Sequence, residues 1–287
     1  MMLEILPNSL YSLPNIEVIL KNKASSIIHK TLFESLVNKK MYLSSVAILL
    51  VTKGKQVIRN YDGEDSVIKE NEIVILPKDL YVVSDFVTNQ NSFEAIIFFI
   101  NDQLIKKFLP FYPMEKIANK TNSRVIKVAA SNQVREYIHY LRAVHQNKKS
   151  NNDLLEIKII EFLLLVGIQD NAKLFISSLI YPIKKRGIKQ FMEDNYLANL
   201  KINDYAVLTG RSVSTFIREF KRLYGTTPNK WLINKRISKA HDLLNDTNMN
   251  VTEVSMEVGY ENVSHFIKAY KEVYGVTPKS TKNKKSD

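Results

Sequence analysis

Residues 211–228 read RSVSTFIREFKRLYGTTP, and residues 261–278 read ENVSHFIKAYKEVYGVTP. Nine of the eighteen aligned positions are identical, and others differ only as Arg for Lys, Phe for Tyr or Leu for Val. Each copy follows a short segment ending in glycine, LKINDYAVLTG to Gly210 and MNVTEVSMEVG to Gly259. Ile202, Tyr205, Ala206 and Thr209 recur at helical spacing, as do Val251, Val254, Ser255 and Val258. Both runs stop at a residue that readily takes positive φ. A short helix, a glycine turn and a second helix predict a helix-turn-helix in each copy. Gly210 and Gly259 are 49 residues apart whereas later landmarks are 50 apart, so the one-residue difference falls in the turn, where it is tolerated.

The second helix of each unit sorts its side chains by physical role. Val213, Phe216, Phe220 and Leu223 fall on one stripe, as do Val263, Phe266, Tyr270 and Val273, and these are the expected core. The opposite stripe carries Ser214, Thr215, Arg218, Lys221 and Arg222 in the first copy and Ser264, His265, Lys268 and Lys271 in the second. Small hydroxyls near a helix start, followed by cations one and two turns later, suit a helix laid in a DNA major groove. A lone basic stripe is more often a solvated helix face; its repetition behind glycine turns favours the groove. Between the units, Thr227 and Pro228 fit an N-cap and a first-turn proline. Trp231, Ile237, Ala240, Leu243 and Leu244 then supply apolar contacts until the turn signal Asn245-Asp246. A connector of about 17 residues spans about 25 Å, comparable with one DNA turn of about 34 Å.

FKRLYGTTP (Phe220 to Pro228), YKEVYGVTP (Tyr270 to Pro278) and NKRISKAHDLL (Asn234 to Leu244) resemble the AraC/XylS family of bacterial transcription regulators. That resemblance covers roughly residues 188–280. It implies double-stranded DNA and RNA polymerase as partners, the nine residues of the two polar stripes as the DNA-binding set, and a homodimer. Three features depart from the family pattern. Ser255 stands where alanine is usual, and its hydroxyl is expected to bond back to the carbonyl one turn earlier. Lys201 replaces the usual Ser or Thr cap, leaving Asn199 or Asn203 to cap the first short helix, or no cap at all. The tail KSTKNKKSD lacks the closing aromatic and arginine, which predicts a short last helix.

The chain has 287 residues and a formal charge of +12, enough length for two domains. Residues 183–287 hold 19 Lys or Arg against 11 Asp or Glu, and the remainder 22 against 18, so most of the excess lies with the repeat. That is the footprint of a polyanionic partner. Cysteine is absent, which excludes a disulfide framework, a thiolate nucleophile and a Cys-based zinc site. MMLEILPNSLYSLP has no signal-peptide pattern, and VAILLV and FLLLVGI are too short to cross a bilayer. The reading is therefore a protein of the bacterial cytoplasm with no membrane partner.

Within residues 45–100, VAILLV, KQVIRN, SVIK, EIVIL, YVVSDFV and FEAIIFFI read as strands separated by turn residues, a barrel or sandwich pattern. GKQVIRNYDGEDSVIKENEIVILPKDLYVV resembles the cupin-like amino-terminal domain of the same family, with Asn71 and Asp79 where glycines are common. A metal-dependent cupin needs clustered His and carboxylate ligands. The histidines are His29, His139, His145, His241 and His265, none expected in the strand region. His139 and His145 read as ordinary residues of a helix, and Glu64 and Asp65 as solvated acids at a turn. No Ser/His/Asp set, Walker loop or dinucleotide fingerprint is present, so no enzyme, cofactor or metal is expected.

Residues 132–146 and 153–167 are predicted helices, the second apolar almost all round and therefore covered on more than one side, within its own domain or by a second subunit. The family resemblance favours the second subunit. The strand pattern and LLEIKIIEFLLL also resemble the branch typified by ExsA, in which the signal is another protein. The fold class is thus α+β: an amino-terminal cupin-like β-barrel with flanking helices over residues 1–179, a linker at 180–187, and an all-α domain of two helix-turn-helix units joined by a connecting helix over 188–287. The leading function is a transcription activator whose amino-terminal domain dimerises and receives a protein or ligand signal. The alternative is a small-molecule sensor in which the barrel binds the effector.

Overall fold

The structure is a computed structural model that describes residues 3–87, 92–111, 125–145, 152–169, 176, 179 and 185–283. The chain divides into two compact units, residues 4–182 and 183–287. Of the expected linker, residues 180–184 lie outside the described residues, as does Gln146 of the first expected helix.

In the first unit, eleven strands form among the described residues: β1 (Glu4–Leu6), β2 (Ile16–Lys21), β3 (Ser26–Leu32), β4 (Leu36–Leu43), β5 (Val46–Lys53), β6 (Lys55–Asn60), β7 (Asp65–Ile68), β8 (Glu72–Leu76), β9 (Leu80–Phe86), β10 (Phe93–Ile100) and β11 (Ile126–Ala129). They build a five-stranded sheet, β1-β4-β9-β6-β7, and a six-stranded sheet, β11-β8-β5-β10-β3-β2. No strand is shared between the two, so the expected barrel is a two-layer sandwich rather than a closed barrel.

Side-chain alternation explains why some strands are continuously apolar and others are not. On β5, Ile48 and Leu50 join Ile73, Ile75, Ile96 and Phe98 in a core facing the helices, while Ala47, Leu49 and Val51 join Val74, Ile97 and Phe99 in a core facing the other sheet. The middle of the six-stranded sheet is buried on both faces, hence the unbroken runs VAILLV and FEAIIFFI. The five-stranded sheet has one covered face, and β6 accordingly alternates, burying Gln56, Ile58 and Asn60. Asn71 takes a left-handed conformation at φ 62°, which accounts for a non-glycine residue succeeding at a glycine position. Asp79 instead keeps its place by accepting the Leu80 N–H on its own carboxylate at 2.8 Å.

Helices α1 (Asp102–Phe108), α2 (Asn132–His145) and α3 (Leu155–Gly167) cover the outer face of the six-stranded sheet. Phe162 of α3 stacks on Phe98 of β10 with centroids 4.0 Å apart. His29 corrects the sequence expectation: it lies on β3, buried, between Glu17 and Glu94. SIIHKTL mixes apolar and charged residues, a pattern that only pairing with β10 and β2 makes into a strand.

The second unit contains α4 (Ile188–Asn195), α5 (Ile202–Leu208), α6 (Val213–Tyr224), α7 (Pro228–Asp246), α8 (Val251–Glu257), α9 (Val263–Tyr274) and α10 (Pro278–Asn283). Helix α7 runs through its middle. Trp231, near its start, packs edge-on to Phe220 at 5.7 Å, and Ile237, Ala240 and Leu244 meet Val254, Val258, Phe266 and Tyr270. The last helix is short, six residues.

Candidate nucleic-acid interface

The two helix-turn-helix units are α5–α6 and α8–α9, with Gly210 at φ 71° and Gly259 at φ 82° in their turns. Helix α6 starts at Ser212, whose Oγ accepts the Thr215 N–H at 3.3 Å, and ends at Gly225 in the left-handed conformation. Helix α9 starts at Asn262, whose Oδ1 accepts the N–H groups of Ser264 and His265, and ends at Gly275 in the same conformation. A left-handed glycine satisfies the last turn, and the Thr-Pro two residues on opens the next helix. The YGxTP repeat is therefore a stop-and-restart signal. Thr227 Oγ1 accepts the Lys230 N–H at 3.3 Å and Thr277 Oγ1 the Ser280 N–H at 3.2 Å.

The starts of the two short helices differ. Asn250 and Glu253 make a complete capping box in the second unit, whereas at Lys201 only the Asp204 carboxylate contributes, accepting the Lys201 N–H at 2.9 Å. Asn199 does not cap; its Nδ2 donates to Glu261.

Eight of the nine expected contact residues are exposed: Ser214, Arg218, Lys221 and Arg222 on α6, and Ser264, His265, Lys268 and Lys271 on α9. Thr215 is half-buried, and its Oγ1 accepts from Ser212 Oγ at 2.9 Å. On each helix this face is opposite a pair of fully buried rings, Phe216 with Phe220 and Phe266 with Tyr270. The expected core stripe was too wide. Val213, Leu223 and Val273, which flank the buried pair, are each more than a third exposed. The two faces also differ in charge, since Glu272 occupies the place of Arg222.

Several residues that hold the units in place carried no groove signal in the sequence. The Arg236 guanidinium donates to the carbonyls of Tyr196, Ala198 and Gly259. Arg186, expected in the linker, donates from Nη1 to the Leu208 carbonyl at 2.7 Å, and Arg211 Nη1 donates to the Arg186 carbonyl at 2.8 Å. Arg211 Nε also bonds Glu219 at 2.8 Å and holds that half-buried carboxyl below its usual range. Tyr205 donates to the Asn195 carbonyl at 2.8 Å, and burial pushes its hydroxyl up to about 12. The Ser255 hydroxyl does not bond back as expected; buried at the α8–α9 core, it has no hydrogen-bond partner among the described residues.

Among the described residues no group of three or more His, Asp or Glu side chains could hold a metal ion, and no helix is long and apolar enough to cross a membrane.

Residues 205–284 match the family model of a helix-turn-helix domain, and residues 46–178 match that of the ExsA N-terminal regulatory domain. The virulence regulon transcriptional activator VirF of Yersinia enterocolitica serotype O:8 is 31% identical over 127 residues, 44% of this chain and 47% of that protein. The transcriptional regulator ExsA of Pseudomonas aeruginosa is 30% identical over 109 residues, 37% and 39% of the two chains. The chain thus spans about half the length, or less, of these curated relatives. Among solved structures, an apo form of ToxT from Vibrio cholerae strain SCE256 is similar with a TM-score of 0.46 and 12% identity, over 91% of this chain and 97% of that one. With a helix-turn-helix match over the repeat and an ExsA-type match over the sandwich and its helices, the chain belongs to the AraC family of regulators.

Proposed function

We propose that the protein is a sequence-specific transcription activator of the bacterial cytoplasm. It lays α6 and α9 in successive major grooves on one face of double-stranded DNA and contacts RNA polymerase there, with no chemical step of its own. One observation carries this reading: in both units the hydroxyl and cationic side chains lie opposite the buried aromatic pair, so packing the unit necessarily presents them outward. The 19-residue α7, about 28 Å long at 1.5 Å per residue, supports two helices spaced for one DNA turn.

A duplex library of random sequence, selected on the full chain, supplies the operator. Binding to it is expected to fall steeply with salt, with a log–log slope of about −0.9 per phosphate neutralised, and footprinting is expected to protect two major grooves one turn apart. A flat salt response, or a single protected groove, contradicts the reading. The carboxyl-terminal residues alone are expected to bind the same operator. A fragment starting at residue 183 should be more stable than one starting at 188, because only the first keeps Arg186.

In this reading the amino-terminal unit, residues 1–179, dimerises and receives the signal, which in the ExsA-like branch is a regulatory protein. The support is a stripe on α3: Ile157 is 61% exposed and Ile168, just past its end, 65%, with half-buried Ile160 and Leu164 between them at helical spacing. A second copy covering that stripe removes it from water. Ile157→Asp is expected to give monomers by light scattering with an unchanged circular dichroism spectrum. A wild-type chain that stays monomeric at high concentration contradicts the dimer. The second reading, a small-molecule effector, is favoured by a cavity between the two sheets.

A further inference from the structure

At one end of the sandwich, where turns of both sheets meet, a pocket of about 240 Å³ opens to solvent. Its wall is made by Lys21 with the β2–β3 turn, by Ser44 and Ser45 between β4 and β5, by Lys78 between β8 and β9, and by Asn101 and Asp102 at the end of β10. It shares no lining residue with the cavity between the sheets.

The wall holds three ammonium groups and, among the described residues, one carboxylate. Lys21 Nζ lies 3.4 Å from the centroid of the Tyr11 ring, and Lys78 Nζ is 2.7 Å from the Asp102 carboxylate. That acid is well exposed, so water weakens the pair. Lys23 is exposed and has no hydrogen-bond or ionic partner among the described residues. Two positive charges are left in excess, the match for a phosphate monoester, which is close to a dianion above its second pKa of about 6.

Most other polar groups of the wall are committed to holding it in place. Asn22 Oδ1 accepts the N–H groups of Ala24 and Ser25 at 2.8 Å each, Asn101 Nδ2 donates to Ser25 Oγ at 2.9 Å, and Ser44 Oγ donates to the Leu6 carbonyl at 2.7 Å. The turn carrying Lys23 is thereby tied to the end of β10, and the β4–β5 turn to β1, so the wall is built before a ligand arrives. Ser45 is different. It is 8% exposed and its Oγ has no hydrogen-bond partner among the described residues. A buried hydroxyl without a partner is costly, and a ligand oxygen that accepts from it removes the cost.

We propose that this pocket binds a small phosphate monoester of about ten non-hydrogen atoms, with its head on the lysine ammonium groups and one oxygen accepting from Ser45 Oγ. The size follows from volume, since a cavity of about 150 Å³ holds a molecule as large as benzene. A carboxylate brings one charge and leaves the other unmatched, and inorganic phosphate leaves about half of the volume unfilled. The inference goes beyond the function proposed above and needs neither the dimer nor DNA binding to hold.

The test is calorimetric titration of the full chain, at low salt and about pH 7.5, with glycerol 3-phosphate, glycerate, inorganic phosphate and glycerol. Glycerol 3-phosphate is expected to bind one per chain, at least about tenfold more tightly than the two smaller anions, and glycerol not measurably. Lys23→Gln, a change at an exposed turn, is expected to weaken glycerol 3-phosphate about tenfold. Ser45→Ala is expected to weaken it severalfold while raising the thermal stability of the ligand-free chain, a combination that a merely structural hydroxyl does not give. Phosphate held by the cationic helices of the carboxyl-terminal unit is indifferent to both changes, so the variants also locate the site. If Ser45→Ala fails to fold, Lys23→Gln and the four-ligand comparison still decide. No saturable binding of glycerol 3-phosphate, equal or tighter binding of glycerate or inorganic phosphate, or undiminished binding by either folded variant overturns the proposal.

Discussion

The guanidinium of Arg236, in the connecting helix, donates to the carbonyl oxygen of Gly259, in the second turn, at 3.3 Å. The same group donates to the carbonyls of Tyr196 and Ala198 at 2.6 Å each, so one side chain of α7 joins the segment after α4 to the turn of the second unit. A Cβ at Gly259 would lie 2.4 Å from the Leu197 carbonyl oxygen, in a backbone conformation of φ 82°. Gly225, also left-handed at φ 67°, faces open space. Gly259→Ala is therefore expected to destabilise the carboxyl-terminal unit by about 2–4 kcal/mol, and Gly225→Ala by about 1–2 kcal/mol, the backbone cost alone. Urea unfolding measures both, and equal costs would show that the close approach at Leu197 does not matter.

Ser255 offers a change in the opposite direction. Its hydroxyl is buried without a partner, and it occupies the position of Ala206 in the first unit, which is equally buried. Ser255→Ala removes a desolvated polar group and leaves the helix intact, so stability is expected to rise by about 1 kcal/mol. A loss of stability in thermal unfolding would indicate that the hydroxyl has a partner after all.

The two polar faces proposed to meet DNA are not equivalent. Arg218 stands where the second copy has Lys268, both are exposed, and only arginine makes a fixed two-pronged contact to the O6 and N7 of guanine. Arg218→Ala is expected to cost about 1–3 kcal/mol in operator binding and to relax preference at one base pair. Lys268→Ala is expected to weaken all sequences alike and to reduce the salt slope by about one. Single-base operator variants measure this, and a more sequence-selective loss at Lys268 would reverse the assignment.

Acid is expected to weaken the amino-terminal unit through His29. Its Nε2 is 3.2 Å from Glu94 and its Nδ1 3.5 Å from Glu17, while Arg142 and Lys53 approach Glu94 at 3.6 and 4.0 Å. Burial, and then the charge of Arg142, hold the imidazole below its ordinary value despite the two carboxylates. The folded chain then binds this proton less readily than the unfolded one. The contribution to stability is present above the unfolded value of about 6.5 and is lost as pH falls through the depressed folded value. The urea midpoint should decline from pH 7 toward pH 5, and His29→Gln should flatten that decline. An unchanged slope in the variant would place the acid sensitivity elsewhere.

Some of this was legible because its cause is local. The strands from β5 to β10 follow from runs of β-branched and aromatic residues bounded by turn residues. The helices of the repeat follow from apolar spacing, and their ends from glycines that must take positive φ and from Thr-Pro restarts. In contrast, β1 to β4 went unread. Strands such as LVNKKMYL carry charges, and they are strands because partners elsewhere in the chain complete their hydrogen bonds. The stripe on α6 is legible in direction but not in width, since only tertiary packing decides that Leu223 stays exposed.

By itself, then, the sequence determined a duplicated helix-turn-helix, its connector, the polar face of each second helix and a β-rich first unit, because periodicity and turn chemistry act between residues a few positions apart. Tertiary structure alone decided that the β-rich unit is a two-sheet sandwich. It also placed His29 between carboxylates 12 and 65 positions away, paired Lys30 with Asp85 inside the sandwich, and left a cavity behind them. Each of these depends on which distant strands pair and in what register, and a one-residue shift in register would turn every one of those side chains to the opposite face.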